Sequence, residues 1–276
     1  MAFEKMIKME NLGYQTDCIA GKLEGEFLVR DSYVVCRMPQ NPTYYWGNLV
    51  IFKDEPQRDD FDQWISVNGT EFGESSGHVT FGWESQRVGN INRFIRHGFS
   101  LKSDSVLMLE ALKPDPEPGK NLSLREICTD ADWEAVLKLQ ILVSEGGTPS
   151  KEYVEFKNRA FQTYRRLSEA GAGAWWGAFI GETLVGDMGL YFDDQFETGR
   201  FQSVETHPEY RRIGVCSDLL HAVAGNALAK YPDAKLVICT EKDSDAERIY
   251  RKLGFKYHQR QYGVCLPHRM QISSAD

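Results

Sequence analysis

The sequence predicts a mixed α/β protein in which a central, mostly antiparallel sheet is flanked by helices and the chain carries two tandem copies of the unit. Three observations predict this. From residue 122 to residue 265 the apolar spacing alternates between the helical and the extended period in the order β-α-α-β-β-β-α-β-α-β. Gly181-Glu182 separates two strand-like runs by a two-residue hairpin signal, which makes neighbouring strands antiparallel. The two halves also end alike: Phe94-Ile95-Arg96-His97-Gly98-Phe99 aligns with Tyr250-Arg251-Lys252-Leu253-Gly254-Phe255, each preceded and followed by a strand candidate. A Gly-Phe pair after a helix is also a simple left-handed cap, so the shared context, rather than the pair, points to a diverged repeat.

In chain order, strands are predicted at Glu26 to Arg30, Tyr33 to Arg37 and Trp46 to Phe52, and a helix at Phe61 to Phe72. A strand at His78 to Trp83, a helix at Gly89 to Arg96 and a strand at Ser105 to Ala111 close the first half. The three prolines and one glycine of Lys113 to Lys120 can neither continue a helix nor join a central strand, so the seam falls there and gives domains of residues 1–115 and 116–276. The second half opens with a strand at Leu122 to Ile127 and a capped helix from Thr129-Asp130 through Trp133, Val136, Leu137, Leu139 and Gln140. A helix at Tyr153 to Leu167 and strands at Ala174 to Ile180, Thr183 to Phe192 and Gly199 to Thr206 follow. The last elements are a helix at Cys216 to Lys230, a strand at Lys235 to Thr240, a helix at Asp243 to Leu253 and a strand to Cys265.

Bulk properties exclude several classes. A net charge of −8 argues against a nucleic-acid binder, which needs a basic face, and mildly favours a cationic substrate. No apolar run approaches membrane-spanning length, the six cysteines form no C-x-x-C pair, and no zinc-type spacing occurs. The expectation is a cytoplasmic protein with reduced thiols, no membrane role and no metal.

The segment Val204-Glu205-Thr206-His207-Pro208-Glu209-Tyr210-Arg211-Arg212-Ile213-Gly214-Val215-Cys216-Ser217 passes from a strand through a short turn into an amphipathic helix. The first N–H groups of a helix have no internal partner, and the macrodipole adds about half a positive charge there. Gly214 and Cys216 keep the approach small while Arg211 and Arg212 add charge, so a pyrophosphate is the expected ligand. An ordinary strand-turn-helix corner with surface arginines has the same local appearance.

The stretch resembles the Gcn5-related N-acetyltransferase superfamily (GNAT), whose cofactor motif is Gln/Arg-x-x-Gly-x-Gly/Ala after a strand ending Val-x-Val-x-Pro. Arg211, Gly214 and Pro208 match; Cys216 stands for the usual Gly or Ala, and Thr206 for the second Val. Asp243-x-x-Ala246-x-x-x-Tyr250-x-x-x-Gly254-Phe255 resembles a second signature, in which Asn is commoner than Asp at the first position. The resemblance spans residues 120 to 265 and implies the acyl-CoA N-acyltransferase fold with acetyl-CoA as cosubstrate. It places Val204, Glu205 and Thr206 along the pantetheine arm and the backbone of Arg212, Ile213, Gly214, Val215, Cys216 and Ser217 around the pyrophosphate, with Asp243 and Tyr250 completing the cofactor contacts. The first half would be a degenerate copy, because Lys53-Asp54-Glu55-Pro56-Gln57-Arg58-Asp59-Asp60 lacks the glycine and is acidic, and Phe94 replaces the tyrosine.

The resemblance implies an acyltransferase in which a neutral primary amine attacks the thioester directly. Freeing a lone pair with a pKa near 10 costs roughly 4 kcal/mol at neutral pH, so a base is useful. Glu205 and His207, two apart on the strand before the loop, are the candidates; Glu205 as a structural ion pair and His207 as a turn cap are their bland readings. Tyr250 is the candidate acid for the departing thiolate. A helix start would lower the Cys216 pKa, which predicts reaction with thiol reagents and protection by CoA. Trp175 and Trp176 pack in the core by default, with one of them a candidate lining of the acceptor groove. The acidic run Asp193-Asp194-Gln195-Phe196-Glu197 is a candidate guide for a cationic amine. The acceptor amine is expected on a small molecule in preference to a protein, and nothing in the sequence fixes the oligomeric state. The alternative is a CoA-responsive binding or regulatory protein without catalysis.

Overall fold

The computed structural model describes residues 9–73, 77–114, 122–144, 149–193, 195 and 197–267. They group into two compact units, Met1–Ser105 with Gln259–Asp276, and Val106–His258. The proline-rich seam from Asp115 to Lys120 lies outside the described residues, as do Asp194 and Phe196 of the acidic run. The C-terminal residues, which the sequence puts in the second half, group with the first unit because Tyr262 to Leu266 pair antiparallel with Trp83 to Val79.

The first unit begins with two short helices that the sequence did not announce, α1 (Leu12–Asp17) and α2 (Ile19–Glu24). Six residues each are too few to display a period, and α1 starts where the Asn11 side chain accepts hydrogen bonds from the Gly13 and Tyr14 amides. Strands β1 (Glu26–Val29), β2 (Tyr33–Arg37) and β3 (Leu49–Phe52) pair antiparallel in sequence. The third was expected from Trp46, but Tyr45–Gly47 is a single 3-10 turn. Helix α3 (Phe61–Phe72), strand β4 (Val79–Trp83) and helix α4 (Asn92–Arg96) follow, and then β5 (Ser100–Leu109), within which the unit boundary falls. Strand β4 lies parallel to β3, paired from Val50–Phe81 to Phe52–Trp83 at the strand ends, and the Glu84 amide extends the ladder by donating to the Phe52 carbonyl at 3.0 Å. Both strands are buried along their whole length, as expected of strands covered on two faces. Phe52 stacks on Trp64 at 4.0 Å between ring centroids, and Phe81, Phe94 and Phe99 fill the rest of this core.

The second unit follows the predicted order. Strand β6 (Ser123–Glu126) leads to α5 (Asp130–Leu142) and α6 (Lys151–Glu169). Strands β7 (Gly173–Ile180), β8 (Thr183–Phe192) and β9 (Thr198–Thr206) come next, then α7 (Val215–Lys230), β10 (Lys235–Glu241), α8 (Asp245–Leu253) and β11 (Phe255–Leu266). Strands β6 to β9 are antiparallel neighbours, with Gly181-Glu182 closing the β7–β8 hairpin, and β10 runs parallel to β9. The fold is thus mixed α/β with mostly antiparallel strands and flanking helices. Helix starts are fixed by side chains: Thr129 and Asp132 form a reciprocal capping box on α5, while Ser150 and Ser244 cap α6 and α8. Helix α7 buries Val215, Leu219, Leu220, Val223, Ala224 and Ala227, a helical stripe packed with Tyr250 and Leu253 of α8 in one core.

Gly254 ends α8 in the left-handed region at φ 110, one turn beyond Tyr250, and a Cβ there would run into the Ala111 carbonyl oxygen. Gly254→Ala is expected to lower the unfolding free energy by roughly 3 kcal/mol, combining the left-handed penalty with overpacking. Urea unfolding of the full chain, read as a lower midpoint at unchanged slope, checks this.

Candidate active site

The site is created by a break in strand pairing. Strands β9 and β10 pair only from Thr198–Lys235 to Arg200–Val237, yet β9 continues to Thr206 and β10 to Glu241. A bulge accompanies the departure: the β8–β9 register shifts between Asp187 and Gly189, and Ser203 adopts φ 44. Ser203, Arg212 and Asp243 are the non-glycine residues with left-handed backbone among the described residues, and all three border this opening. Clustering of such costly conformations is typical of ligand sites.

Past the end of β9 the chain makes a 3-10 turn at Pro208–Tyr210 and enters α7 through Gly214 at φ 95. A Cβ on Gly214 would meet Asp218 no closer than 3.5 Å, so the backbone angle and not crowding calls for glycine. Unlike α5, α6 and α8, α7 has no side-chain cap at the start it makes with Val215, Cys216 and Ser217. Arg211, Arg212 and Ile213 are exposed on the approach. The Arg211 Nε donates to the Thr206 carbonyl at 3.3 Å, and Arg212 helps hold the Asp245 carboxyl of α8 below its ordinary range, after the larger effect of Arg248. Asp243 is exposed before α8, and its amide donates to Glu247 at 2.7 Å.

The predicted catalytic residues part company here. Strand β9 ends at Thr206, so His207 is no longer on the strand; its Nδ1 accepts the Glu209 amide at 3.3 Å and its ring packs edge-on against Tyr210. Glu205 remains on β9, half-buried, between Val204 and Thr206. Tyr250 is only 5% exposed, and burial, with Cys216 and Glu205 nearby, raises its phenol above the ordinary value so that it stays protonated. No hydrogen bond to the Tyr250 hydroxyl is made by the described residues. For Cys216 the expectation of a lowered pKa is overturned. Burial, with the Glu205 carboxylate adding to it, pushes the thiol up to about 12, so desolvation outweighs the helix start.

Sequence reasoning missed a buried polar cluster beside Glu205. Asp187, its register partner on β8, is fully buried and accepts hydrogen bonds from Gln140 Nε2 at 2.8 Å and Trp175 Nε1 at 3.0 Å. Gln140 Nε2 also donates to the Ser203 carbonyl at 2.8 Å, and its Oε1 accepts from Lys157 Nζ at 2.9 Å. Burial pushes the Asp187 carboxyl up to about 8 and lowers the Lys157 ammonium. The signals were present: an aspartate inside the apolar run Leu184-Val185-Gly186-Asp187-Met188-Gly189-Leu190, and a glutamine on the buried stripe of α5. Trp175 is buried and bonded to Asp187, whereas Trp176 is half-buried against the α7–α8 core.

Among the described residues, the first unit shows no corresponding opening. Its parallel pair β3–β4 is closed to the strand ends, and the acidic segment after β3 is tied down where the Pro56 carbonyl accepts from the Asn90 amide at 2.6 Å and Glu55 meets Arg87 at 2.6 Å. Phe94, fully buried, stands four residues before the left-handed Gly98, as Tyr250 does before Gly254.

The strand splay thus opens onto a helix start that no side chain caps. The family model for the acetyltransferase (GNAT) domain matches residues 171–257, from just before β7 to the start of β11, and places a GNAT domain in the second unit. Among solved structures, the whole chain is similar to a functionally unknown conserved protein from Staphylococcus epidermidis (14% identity, 97% of this chain and 98% of that one, TM-score 0.71). It is also similar to a GCN5-related N-acetyltransferase from Kribbella flavida (13% identity, 94% and 96% covered, TM-score 0.59). A tandem GNAT protein from the clavulanic acid biosynthesis pathway is similar as well (12% identity, 95% and 96% covered, TM-score 0.53). At these identities the likeness is one of fold. Among curated proteins, none matches. No helix of the described residues is long and apolar enough to cross a membrane, and no group of three or more potential ligands among them is arranged to hold a metal ion.

Two outcomes follow from the ionisation states. Thiol titration with peptide mapping near neutral pH is expected to label the exposed Cys128 first and Cys216 only slowly, with or without CoA. Asp187 is raised in the folded state, so the stability gained from its neutral form is complete below the ordinary value of 3.8 and declines as pH rises through about 8. Thermal midpoints of the wild type should therefore fall over that interval relative to those of Asp187→Asn, and parallel curves would contradict the assignment.

Proposed function

We propose that the second unit is an acetyltransferase that carries the acetyl group of acetyl-CoA to a primary amine, on a small molecule in preference to a protein, by direct attack. The observation that carries the reading is the departure of β9 from β10 at Arg200–Val237, ending at the uncapped start of α7. An extended thioester fits such a slot. The free edge at Val204, Glu205 and Thr206 suits the amides of the pantetheine arm, and the Arg212-to-Ser217 backbone with Arg211 suits the pyrophosphate. Asp243, in the turn between β10 and α8, and Tyr250 of α8 are the remaining candidates for cofactor contact.

In the reaction the amine nitrogen bonds to the thioester carbonyl carbon, the C–S bond breaks, and the electron pair leaves on sulfur. Glu205 receives the ammonium proton, because it stays on the strand at the opening while the His207 Nδ1 is engaged by the turn. Tyr250, kept protonated by burial, donates to the thiolate. A CoA thiol, close to an ordinary cysteine, leaves without much help, so this second role is the lesser. The first unit is proposed as a degenerate copy without transfer chemistry, since its parallel pair is closed and Phe94 has no hydroxyl. The chain is proposed to act in the cytoplasm without nucleic-acid or membrane partners.

Thiol release from acetyl-CoA across a panel of amines, with calorimetry for CoA, tests the reading. Glu205→Gln is expected to lower kcat about 100-fold with CoA affinity retained, and Tyr250→Phe about threefold to tenfold, most at high pH. Paired Arg211→Ala and Arg212→Ala should raise KM for acetyl-CoA with a smaller effect on kcat. CoA binding without turnover of any amine would favour a CoA-responsive regulatory protein instead, and a chain that does not bind CoA would defeat both readings.

A further inference from the structure

We infer that Asp187 and Glu205, opposed on neighbouring strands, hold a single proton between them, located on Asp187 Oδ2, so that the negative charge of the pair rests on Glu205. The inference rests on the reading of Glu205 as the base and adds a second residue to it.

Geometry carries it. Asp187 and Glu205 are register partners on β8 and β9, and directly opposed residues share one face of a sheet with Cβ atoms about 5 Å apart. Two full negative charges at that separation in a buried setting are strongly disfavoured. The hydrogen bonds around Asp187 show which carboxyl keeps the proton. Both donors, Gln140 Nε2 and Trp175 Nε1, go to Oδ1, while Oδ2 is buried and meets no partner. A carboxylate, with charge on both oxygens, would leave half of that charge unsolvated. A carboxylic acid has one accepting carbonyl oxygen and one hydroxyl; with Oδ1 as the carbonyl, the group left without a partner at Oδ2 is a neutral hydroxyl, which costs less to bury than a charged oxygen.

The groups facing the pair agree. From α5 comes Gln140, from β7 Trp175, and from α6 Lys157, whose Nζ is bonded to Gln140 and not to Asp187. Cys216 of α7 and Tyr250 of α8 stand near Glu205, and both stay neutral because burial raises their pKa. Burial and Glu205 together hold the Asp187 proton toward higher pH, against the opposing pull of Gln140, Trp175 and Lys157. The pair thus carries one negative charge before the reaction, on Glu205, and none after Glu205 has taken the proton that the amine nitrogen gives up on bonding to the carbonyl carbon. Coupled carboxyls titrate as a pair, and separation of their two ionisations keeps the singly protonated form over a wide interval around neutrality.

Infrared spectroscopy of the full chain labelled with carboxyl-13C aspartate tests this without relying on turnover. At neutral pH the wild type is expected to show a protonated-carboxyl C=O band that is absent in Asp187→Asn and present in Glu205→Gln. Removal of the neighbouring charge in Glu205→Gln should lower the midpoint of that band by about one pH unit or more. No such band in the wild type, or an unchanged midpoint in Glu205→Gln, overturns the pair. In the activity arm, Asp187→Asn removes the second titrating group of the pair, so the pH profile of kcat in this variant should lose the alkaline inflection of the wild type. A folded Asp187→Asn protein whose profile keeps that inflection would also overturn it. If the bands behave as expected while no amine is acetylated, the carboxyl pair stands and the acetyltransferase reading falls.

Discussion

The second unit depends on the place where two parallel strands stop pairing. Up to Arg200 and Val237 the β9–β10 ladder satisfies both backbones, and beyond it each strand presents groups that need other partners. Some are supplied locally: Gln140 serves the Ser203 carbonyl, Arg211 the Thr206 carbonyl, and the His207 amide donates to Val185 at 2.9 Å. What is left is an extended edge beside Glu205, ending at the first amides of α7. The bulge at Ser203 accompanies that departure, and the half-buried Glu205 lies close enough to the buried Tyr250 and Cys216 to raise the pKa of each.

The first unit shows how little separates a closed pair from an open one. It has a parallel strand pair, a helix ending at a left-handed glycine and an aromatic residue four positions earlier, as the second unit does. There the pair runs to the strand ends, and Phe52 and Trp64 stack where an opening would otherwise begin. Closure buries two strands completely and stabilises a core. Opening forgoes those hydrogen bonds and leaves a strand edge without its ladder partner. The acidic segment after β3 fits the closed state, since a tied-down loop near Glu55 and Asp60 offers nothing to a phosphate.

The sequence made local features legible and concealed those that depend on distant partners. Gly181-Glu182, Thr129 and Gly214 act through their own backbone angles or next neighbours, so the hairpin, the α5 cap and the turn into α7 could be read directly. The splay could not, because it is a relation between residues near 200 and residues near 237. Glu205 and His207 looked equivalent as strand neighbours, and only the end of β9 at Thr206 distinguishes them. The same limit explains Cys216. The helix start is visible in the sequence and lowers a thiol pKa, whereas burial beside Glu205 comes from elsewhere in the fold and raises it further. Helices α1 and α2 escaped notice because six residues carry no period.

The polar cluster beside Glu205 has a structural consequence besides its protonation. An apolar replacement of Gln140 and Asp187 would pack readily, yet it would leave the Ser203 carbonyl and the Trp175 indole N–H without partners in a dry interior. With the cluster in place, one glutamine side chain joins the bulged strand, the neighbouring strand and α6, so the bulge has a single register compatible with full pairing. A bulge held only by apolar contact could slide by one residue along β9, which would turn Glu205 to the opposite face of the sheet. The buried hydrogen bonds therefore fix which side chain faces the opening, and the unpartnered Oδ2 of Asp187 is the part of that cluster which register alone does not require.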